Sequence, residues 1–520
     1  MYKLNIAKII TVLAISLVLA ARLIPGPRTI DDAYITYRYA RNILAEEGFV
    51  YNPGERVLGT TTPLYTLTLA AVGAVTGGTK APFPSIALLI NTIADAVTAV
   101  LLWKLGKRLK FPYAGAGAAL VWAIAPFSVT FAIGGLETSV YVLLLTATVY
   151  AHIAEKHKLT ALFAALSILT RPDALLLLAP LALDRLASHV AHRTSHPARP
   201  KLLPELLIFL AAILPWFTFA TLYFGSPIPH SVTAKTLAYR LPSTTALTRL
   251  LQHYATPFLG HLTFGLPWIG VGLILYPALA FIGIRAALRS TRRLWPWAIY
   301  PWLYFAAFAI ANPLIFRWYL TPPLPAYFFF IFIGIEELGN RAIQNRPDRG
   351  PHSWKAILLP IIIALPLLTT IRGWTLTPDH GPRRPAPEMA WFELELLYRQ
   401  AAQRVNRDIE ATSSQSLPVL AAGDVGVLGY YTPTRILDTV GLNSPQTLDY
   451  YPLNESYYVI NYAIPPNLIR DQKPNYVVIL EVYGREGLLE DPYFKENYAL
   501  LHKLPTDIYG SDGMLIYKKQ

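Results

Sequence analysis

The sequence predicts a polytopic α-helical membrane protein that carries a soluble α/β domain at its C-terminal end. Three observations predict it. The 520 residues are 53% hydrophobic and only 15% charged, whereas soluble domains carry about 25% charged residues. The apolar residues fall in long blocks, as membrane spans require. From about Gly373 onward charges rise, and short β-like runs with turn signals replace the blocks. The net charge of +13 does not point to nucleic acid. The basic residues cluster in short loops between apolar blocks, where membrane topology places them. No nucleic-acid-binding motif accompanies them, which excludes that partner. The absence of cysteine excludes disulfides, thiolate metal sites and thiol nucleophiles.

The first apolar run, residues 4–24, has Lys3 before it and no small-residue cleavage pattern before Pro25. It reads as an uncleaved signal anchor with a cytoplasmic N-terminus. A polar stretch follows at 25–63. It holds Asp31 and Asp32, a helical pattern through Leu44, and a reversal forced by Asn52-Pro53-Gly54. The run 64–75 falls short of the roughly 20 residues a crossing needs, and is expected to lie on the membrane as an interfacial helix. Residues 85–103 span, and Lys104, Lys107, Arg108 and Lys110 after them mark the cytoplasmic side. Two crossings between two cytoplasmic ends put the acid pair outside.

The same alternation carries through the chain. Residues 114–133 go out and 139–153 return to Lys156 and Lys158. Residues 159–169 go out to Arg171, and 174–183 return to Arg185, Arg193, Arg199 and Lys201. Residues 203–224 lead to a long external loop at 225–262, and 264–284 return to Arg285, Arg289, Arg292 and Arg293. Residues 295–311 go out, 318–338 return to Arg341, Arg346 and Arg349, and 354–371 go out last. This makes about eleven crossings, N-terminus inside and C-terminus outside, in a plasma or inner membrane, and no basic cluster contradicts it. The pair around Arg171-Pro172 is shorter than two full spans and reads as tilted or broken. Residues 1–372 are thus a membrane module and 373–520 an extracytoplasmic domain. Within the latter, 379–387 reads as a linker, 388–409 as a helix, and 419–422, 476–480 and 515–517 as strands.

Asp31 and Asp32 are the polar centre of this arrangement. Two carboxylates that close to hydrocarbon are costly without a partner or a task. One of them serves a helix N-terminus as a cap; the second exceeds what a cap uses. The expected topology adds Arg38, Glu137, Arg171, Asp173, His230, Lys235 and Arg317 on the same outer side. Acids and cations at the mouths of several spans suit a site where a carboxylate activates a nucleophile and cations hold an anionic leaving group. A phosphate fits such cations, and the membrane-level location suits a donor with a lipid tail. Plainer roles compete with this. Arg317 stands beside Trp318-Tyr319 as an interfacial anchor would, and Lys235 suits a solvated loop. Glu137 suits a helix cap, and Arg171 with Asp173 a local salt bridge. His189, His192 and His196 have a loosely ligand-like spacing but lie in a predicted cytoplasmic basic loop, so they read as solvated.

Several motifs stand in a fixed order. These are Asp31-Asp32-Ala33-Tyr34-Ile35-Thr36-Tyr37-Arg38-Tyr39-Ala40, then Gly48-Phe49-Val50-Tyr51-Asn52-Pro53-Gly54-Glu55, Gly135-Leu136-Glu137-Thr138, Thr170-Arg171-Pro172-Asp173, the Gly225-Ser226-Pro227-Ile228-Pro229 segment ending at Lys235, Phe316-Arg317-Trp318-Tyr319, and Ala421-Ala422-Gly423-Asp424-Val425-Gly426. In that order the chain resembles the GT-C superfamily of integral membrane glycosyltransferases. The branch it is most similar to includes the mycobacterial terminal arabinofuranosyltransferases and other polyprenyl-phosphate-sugar-dependent enzymes. The resemblance implies an inverting transferase acting on the outer face, with a polyprenyl-phosphate sugar as donor and a glycan, lipid or protein as acceptor. It implies juxtamembrane helices in the first external loop, in agreement with the reading of 64–75. It implies Asp31 or Asp32 as general base, with Asp31 favoured and Asp32 orienting the acceptor or a metal. Glu137 is then the second acid, and Lys235, Arg317, Arg171 and His230 the donor-phosphate binders, with Arg38 and Asp173 nearby. Some members place a divalent cation, Mg or Mn, between phosphate and carboxylate; its ligands here would be Asp32 and Glu137.

One carboxylate suffices for such a reaction, because a leaving phosphate needs no protonation, unlike a glycosidic oxygen. The rival reading is a transporter or flippase of a lipid-linked substrate, since charges at membrane depth also mark transport paths. A transporter would show internal repeats in its spans, and none is visible in the sequence.

Overall fold

The structure is a computed structural model that describes residues 6–192, 202–258, 266–344, 365–378, 380–412 and 417–520. The chain forms two compact units that do not follow its linear order. One gathers Met1–Arg28, Ala87–Pro215 and Thr244–Ala390; the other gathers Thr29–Ile86, Trp216–Ser243 and Trp391–Gln520. Thr29–Ile86 and Trp216–Ser243 fall in the same unit as the C-terminal residues, because the first loop and the C-terminal sheet bury and bond each other.

Helices form where the apolar blocks predict them: Ile6–Leu23, Phe83–Arg108, Thr138–Ile153, His157–Thr170, Leu175–His192, Leu203–Phe224, Leu266–Ser290, Trp295–Ala311 and Leu324–Gln344. Among the described residues five helices are long and apolar enough to cross a membrane, or six if one bent pair counts as a span. The run expected to lie on the membrane is the helix Pro63–Thr76, of 14 residues. The expected last crossing, 354–371, lies mostly outside the described residues.

In the first unit the bent pair is Pro112–Ile124 and Pro126–Ile133, broken by 43°. Pro126 offers no N–H and Ala125 is extended at ψ 129°, so the helix cannot run through. Arg22 secures the break. It donates from Nη1 to the Ala123 carbonyl at 2.7 Å and from Nη2 to Ser128 Oγ at 2.5 Å. Its Nε pairs with Asp95 Oδ2 at 2.7 Å, and both side chains are fully buried. Ser139 Oγ donates to the same Asp95 oxygen at 3.0 Å. A buried pair of this kind stands only when hydrogen bonds satisfy its remaining groups. Helices Leu266–Ser290 and Leu324–Gln344 cross through paired glycines: a Cβ on Gly283 would lie 1.9 Å from the Phe330 carbonyl, and one on Gly334 2.1 Å from that of Leu279. At the end of the stretch expected to be a linker lies a strand: β1, Trp374–Thr375, pairs antiparallel with β2, Ala386–Pro387. The Arg28 guanidinium donates to the carbonyls of His380, Pro382, Arg384 and Ala390.

The second unit is built on a five-stranded sheet of β3 (Val419–Ala422), β4 (Arg435–Asp438), β5 (Tyr476–Leu480), β6 (Tyr498–Leu504) and β7 (Met514–Lys519). The order is β4-β3-β5-β7-β6. β3 runs parallel to β4 and β5, and β7 antiparallel to β5 and β6. β5 is buried along its whole length, as its unbroken apolar run requires. β4 and β6 are not among the runs the sequence marks as strands: β4 is four residues with Arg435 and Asp438 at its ends, and β6 is an edge strand, largely exposed along its middle and irregular between Leu500 and His502. The short helix His230–Ala238 gives Ala234 and Ala238 to the core of this domain, beside Ala421, Leu437, Val477 and Ile479.

The first loop closes the free edge of β4. The Asn52 side chain accepts from the Ile436 amide at 3.1 Å and donates to its carbonyl at 2.9 Å, as a neighbouring strand would. Arg38 extends the clamp. It donates to the Tyr51, Gly429 and Thr434 carbonyls at 2.8, 2.6 and 3.0 Å and to Asn52 Oδ1 at 3.2 Å. Its guanidinium also lies 4.5 Å from the centre of the Tyr51 ring.

Candidate active site

Asp31 and Asp32 open the helix Asp31–Leu44, where their charge suits the dipole. They take different tasks. Asp31 turns to another helix, Gly426–Tyr431, supplied by the far end of the chain. Its Oδ2 accepts from the Gly426 amide at 2.8 Å and its Oδ1 from the Val427 amide at 2.7 Å. A Cβ on Gly426 would lie 1.7 Å from the Asp31 carbonyl oxygen, so only glycine admits this approach. Asp31 is 7% exposed. Burial pushes its carboxyl well above the usual range, the charges of Asp424 and Asp32 push the same way, and the two amides oppose them.

Asp32 is the open carboxylate. Its side chain is 35% exposed, and Lys235 Nζ lies 3.8 Å from its Oδ2. Lys235 is carried by the helix His230–Ala238, whose first amide, that of His230, donates to the Leu58 carbonyl at 2.8 Å. Burial lowers the His230 imidazole below its ordinary value. The Arg38 donors hold the first loop to the sheet domain.

Three groups beside the acid pair were missed by the sequence reading. The Asp31 amide donates to Glu395 Oε1 at 3.4 Å, and burial pushes Glu395 up to about 7. Asp424 follows β3, and its Oδ2 accepts from the Tyr398 hydroxyl at 2.6 Å. Burial and the charge of Asp32 raise Asp424 to about 6 against that hydrogen bond. Glu395 and Tyr398 belong to an amphipathic helix, Glu393–Thr412, and nothing in its pattern marks them. Asp424 stood in a noted motif, but only the fold brings it to the pair.

The remaining predicted residues lie in the first unit. Arg171 forms the local salt bridge that sequence allowed: Nε and Nη2 donate to the two oxygens of Asp173 at 2.9 and 3.1 Å. Glu137 Oε1 is 3.6 Å from Nη1, and the rings of Tyr141 and Tyr319 flank the guanidinium with centroids at 5.1 and 5.0 Å. Two carboxylates thus share the Arg171 guanidinium. Arg317 opens a 3₁₀ turn and donates to the Met389 carbonyl at 3.3 Å. No carboxylate pairs with it among the described residues, and Phe316 and Trp318 stack beside it at 4.6 Å. Among the described residues no three His, Asp or Glu side chains form a metal-binding group. His189 lies in the helix Leu175–His192, and His196 falls outside the described residues.

A family model described as a domain of unknown function, DUF8728, matches residues 393–517, the sheet domain with its preceding helix. No curated protein matches the chain. Solved structures match nearly all of it. ArnT from Cupriavidus metallidurans bound to undecaprenyl phosphate is 13% identical, with 99% of this chain and 98% of that one covered and a TM-score of 0.53; its apo state gives a TM-score of 0.57 at 11% identity, with 98% and 97% covered. The archaeal oligosaccharyltransferase AglB from Archaeoglobus fulgidus, in complex with an inhibitory peptide and a dolichol-phosphate, is 12% identical, with 96% of this chain and 73% of that one covered and a TM-score of 0.56. At such identities the likeness establishes architecture, and the chain has the GT-C-like fold that its ordered motifs resemble.

Proposed function

We propose that this protein is an inverting membrane glycosyltransferase. It moves a sugar from a polyprenyl-phosphate donor to an acceptor hydroxyl of a cell-envelope glycan, lipid or protein on the extracytoplasmic face. The observation that carries the reading is the Asp32–Lys235 pair, an open carboxylate with a fixed ammonium 3.8 Å away. Two structural neighbours were solved with undecaprenyl phosphate and dolichol-phosphate, which supports a lipid-phosphate donor. The topology that goes with it has about eleven crossings, with the N-terminus inside.

The base is Asp32, which reverses the order expected from the motif, since both oxygens of Asp31 are bound by backbone amides. Asp32 takes the proton of the acceptor hydroxyl as its oxygen attacks the anomeric carbon. The bond from that carbon to the phosphate oxygen breaks, and its electron pair leaves with the lipid phosphate. Lys235 meets the charge that develops there. Attack opposite the departing phosphate inverts the anomeric centre. The surroundings of Asp32 do not suit a divalent cation held by protein alone. Its neighbour is an ammonium, and no ligand trio is present among the described residues. No step is therefore assigned to a metal.

The test is transfer by the purified chain in nanodiscs, with a panel of undecaprenyl-phosphate sugars and synthetic octyl glycosides as acceptors. Wild type is expected to form a glycoside and release undecaprenyl phosphate, and Asp32→Asn to lose about 10²–10⁴ in kcat, the usual worth of a general base. Movement of intact donor across the bilayer without release of the phosphate would replace this reading with a transporter.

A further inference from the structure

We infer that Asp424, supplied by the C-terminal sheet, is a second carboxylate of the acceptor site beside Asp32, and that the acceptor is a carbohydrate with neighbouring hydroxyls. The inference rests on the transferase reading and narrows its acceptor class.

The topology of the sheet is the first support. From β3 the chain passes to β4 on one side and returns as β5 on the other, with both parallel to β3. The carboxyl end of β3 is therefore the point where strand order reverses, the place where open α/β sheets bind ligands. Gly423 and Asp424 are the residues that follow β3 there.

The Asp31 clamp is the second support. Asp31 is tied to the Gly426 and Val427 amides. Asp32 is the next residue along one chain, and Asp424 precedes the clamp by two along the other. The clamp thus delivers the open carboxylate of the first loop to the switch point of the sheet. Asp424 itself is half-buried; its Oδ2 is occupied by Tyr398, and its Oδ1 accepts no hydrogen bond among the described residues.

Aromatic rings surround the switch point. A Cβ on Gly423 would lie 2.9 Å from Tyr462, a core ring only 3% exposed whose hydroxyl is bonded to Thr439, and two half-buried tyrosines pack on it. Tyr462 contacts Tyr239 and Tyr483 at centroid distances of 6.0 and 5.1 Å, and Tyr483 follows β5 at the same edge of the sheet. Tyrosine faces present apolar area with polar rims, which suits the C–H faces and hydroxyls of a sugar ring. Two carboxylates accept from two adjacent hydroxyls. Asp32 takes the hydroxyl that reacts, and Asp424 receives its neighbour and fixes the ring.

The experiment compares wild type, Asp424→Asn and Asp424→Glu, each full-length in nanodiscs. The donor and octyl trisaccharide are those on which wild type turns over best. The acceptor KM is expected to rise at least tenfold in D424N, with the donor KM unchanged, and to recover in part in D424E. Saturation-transfer NMR with the octyl trisaccharide alone should show binding to wild type and its loss in D424N. An acceptor KM within twofold of wild type, or a donor KM rising in parallel, would overturn the role. So would a fall in thermal stability that D424E does not restore, because Asp424 would then only support Tyr398. Failure of wild type to transfer sugar at all is a different result and strikes the transferase reading itself.

Discussion

The separation of Asp31 from Asp32 is the sharpest consequence of the structure. Replacing Asp31 by Asn leaves one carbonyl oxygen for two buried amides, those of Gly426 and Val427. A buried donor left without its acceptor costs about 1–3 kcal/mol, and a hydrogen bond to a charged group is worth about 1.5–3. Relief of a carboxylate that burial disfavours opposes this. The net loss is therefore expected at about 2–4 kcal/mol, in the range of a lost cap plus one unpaired amide. At about 1.4 kcal/mol per decade this is roughly a 30- to 900-fold loss of protection for a local opening. Hydrogen exchange of the peptide covering 419–431 reads it directly. Asp32→Asn should leave that protection unchanged and instead lower kcat by about 10²–10⁴. If D31N abolished transfer while the Gly426 and Val427 amides kept wild-type protection, the clamp would be secondary and Asp31 would be the chemical residue.

Other outcomes follow from single contacts. Asp95→Asn leaves the buried Arg22 charge uncompensated at the broken span, and a loss of about 3–5 kcal/mol is expected, seen as a lower melting temperature in detergent. Gly429→Ala would place a Cβ 2.0 Å from Tyr51 Oη and 2.6 Å from Arg38 Nη1; it should loosen the first loop from the sheet, with faster proteolysis near Asn52. Glu395 is raised to about 7 by burial. Its protonated form therefore favours the fold, and its contribution is complete below about pH 4.3, the usual Glu value, and is lost as pH rises to 7. Glu395→Gln should flatten the fall in stability across that window in a pH series of thermal melts.

The sequence carried the membrane module well because hydrocarbon imposes a simple code. A crossing needs a block of apolar residues and basic residues accumulate inside, so the helices Leu203–Phe224 and Trp295–Ala311 form where the blocks lie. The code says nothing of charges inside a block. Arg22 and Asp95 were read as part of two spans, and only packing shows that they pair at the Pro126 break. The candidate site was legible in the same uneven way. The Asp-Asp pair and the segment ending at Lys235 were visible as residue types at membrane edges. The division of labour was not, because Asp31 and Asp32 are alike in sequence terms and differ only in what the fold puts against them.

By itself, then, the sequence determined the class of protein, where the apolar helices form and the presence of an acid pair beside cations, since these depend on composition and local pattern. Tertiary structure alone decided that the first loop, the segment 216–243 and the C-terminal sheet are one unit, because its bonds join residues hundreds of positions apart. It also decided which aspartate is free to act. Asp31 loses its lone pairs to two amides of a distant helix, and Asp32 keeps its own with an ammonium nearby.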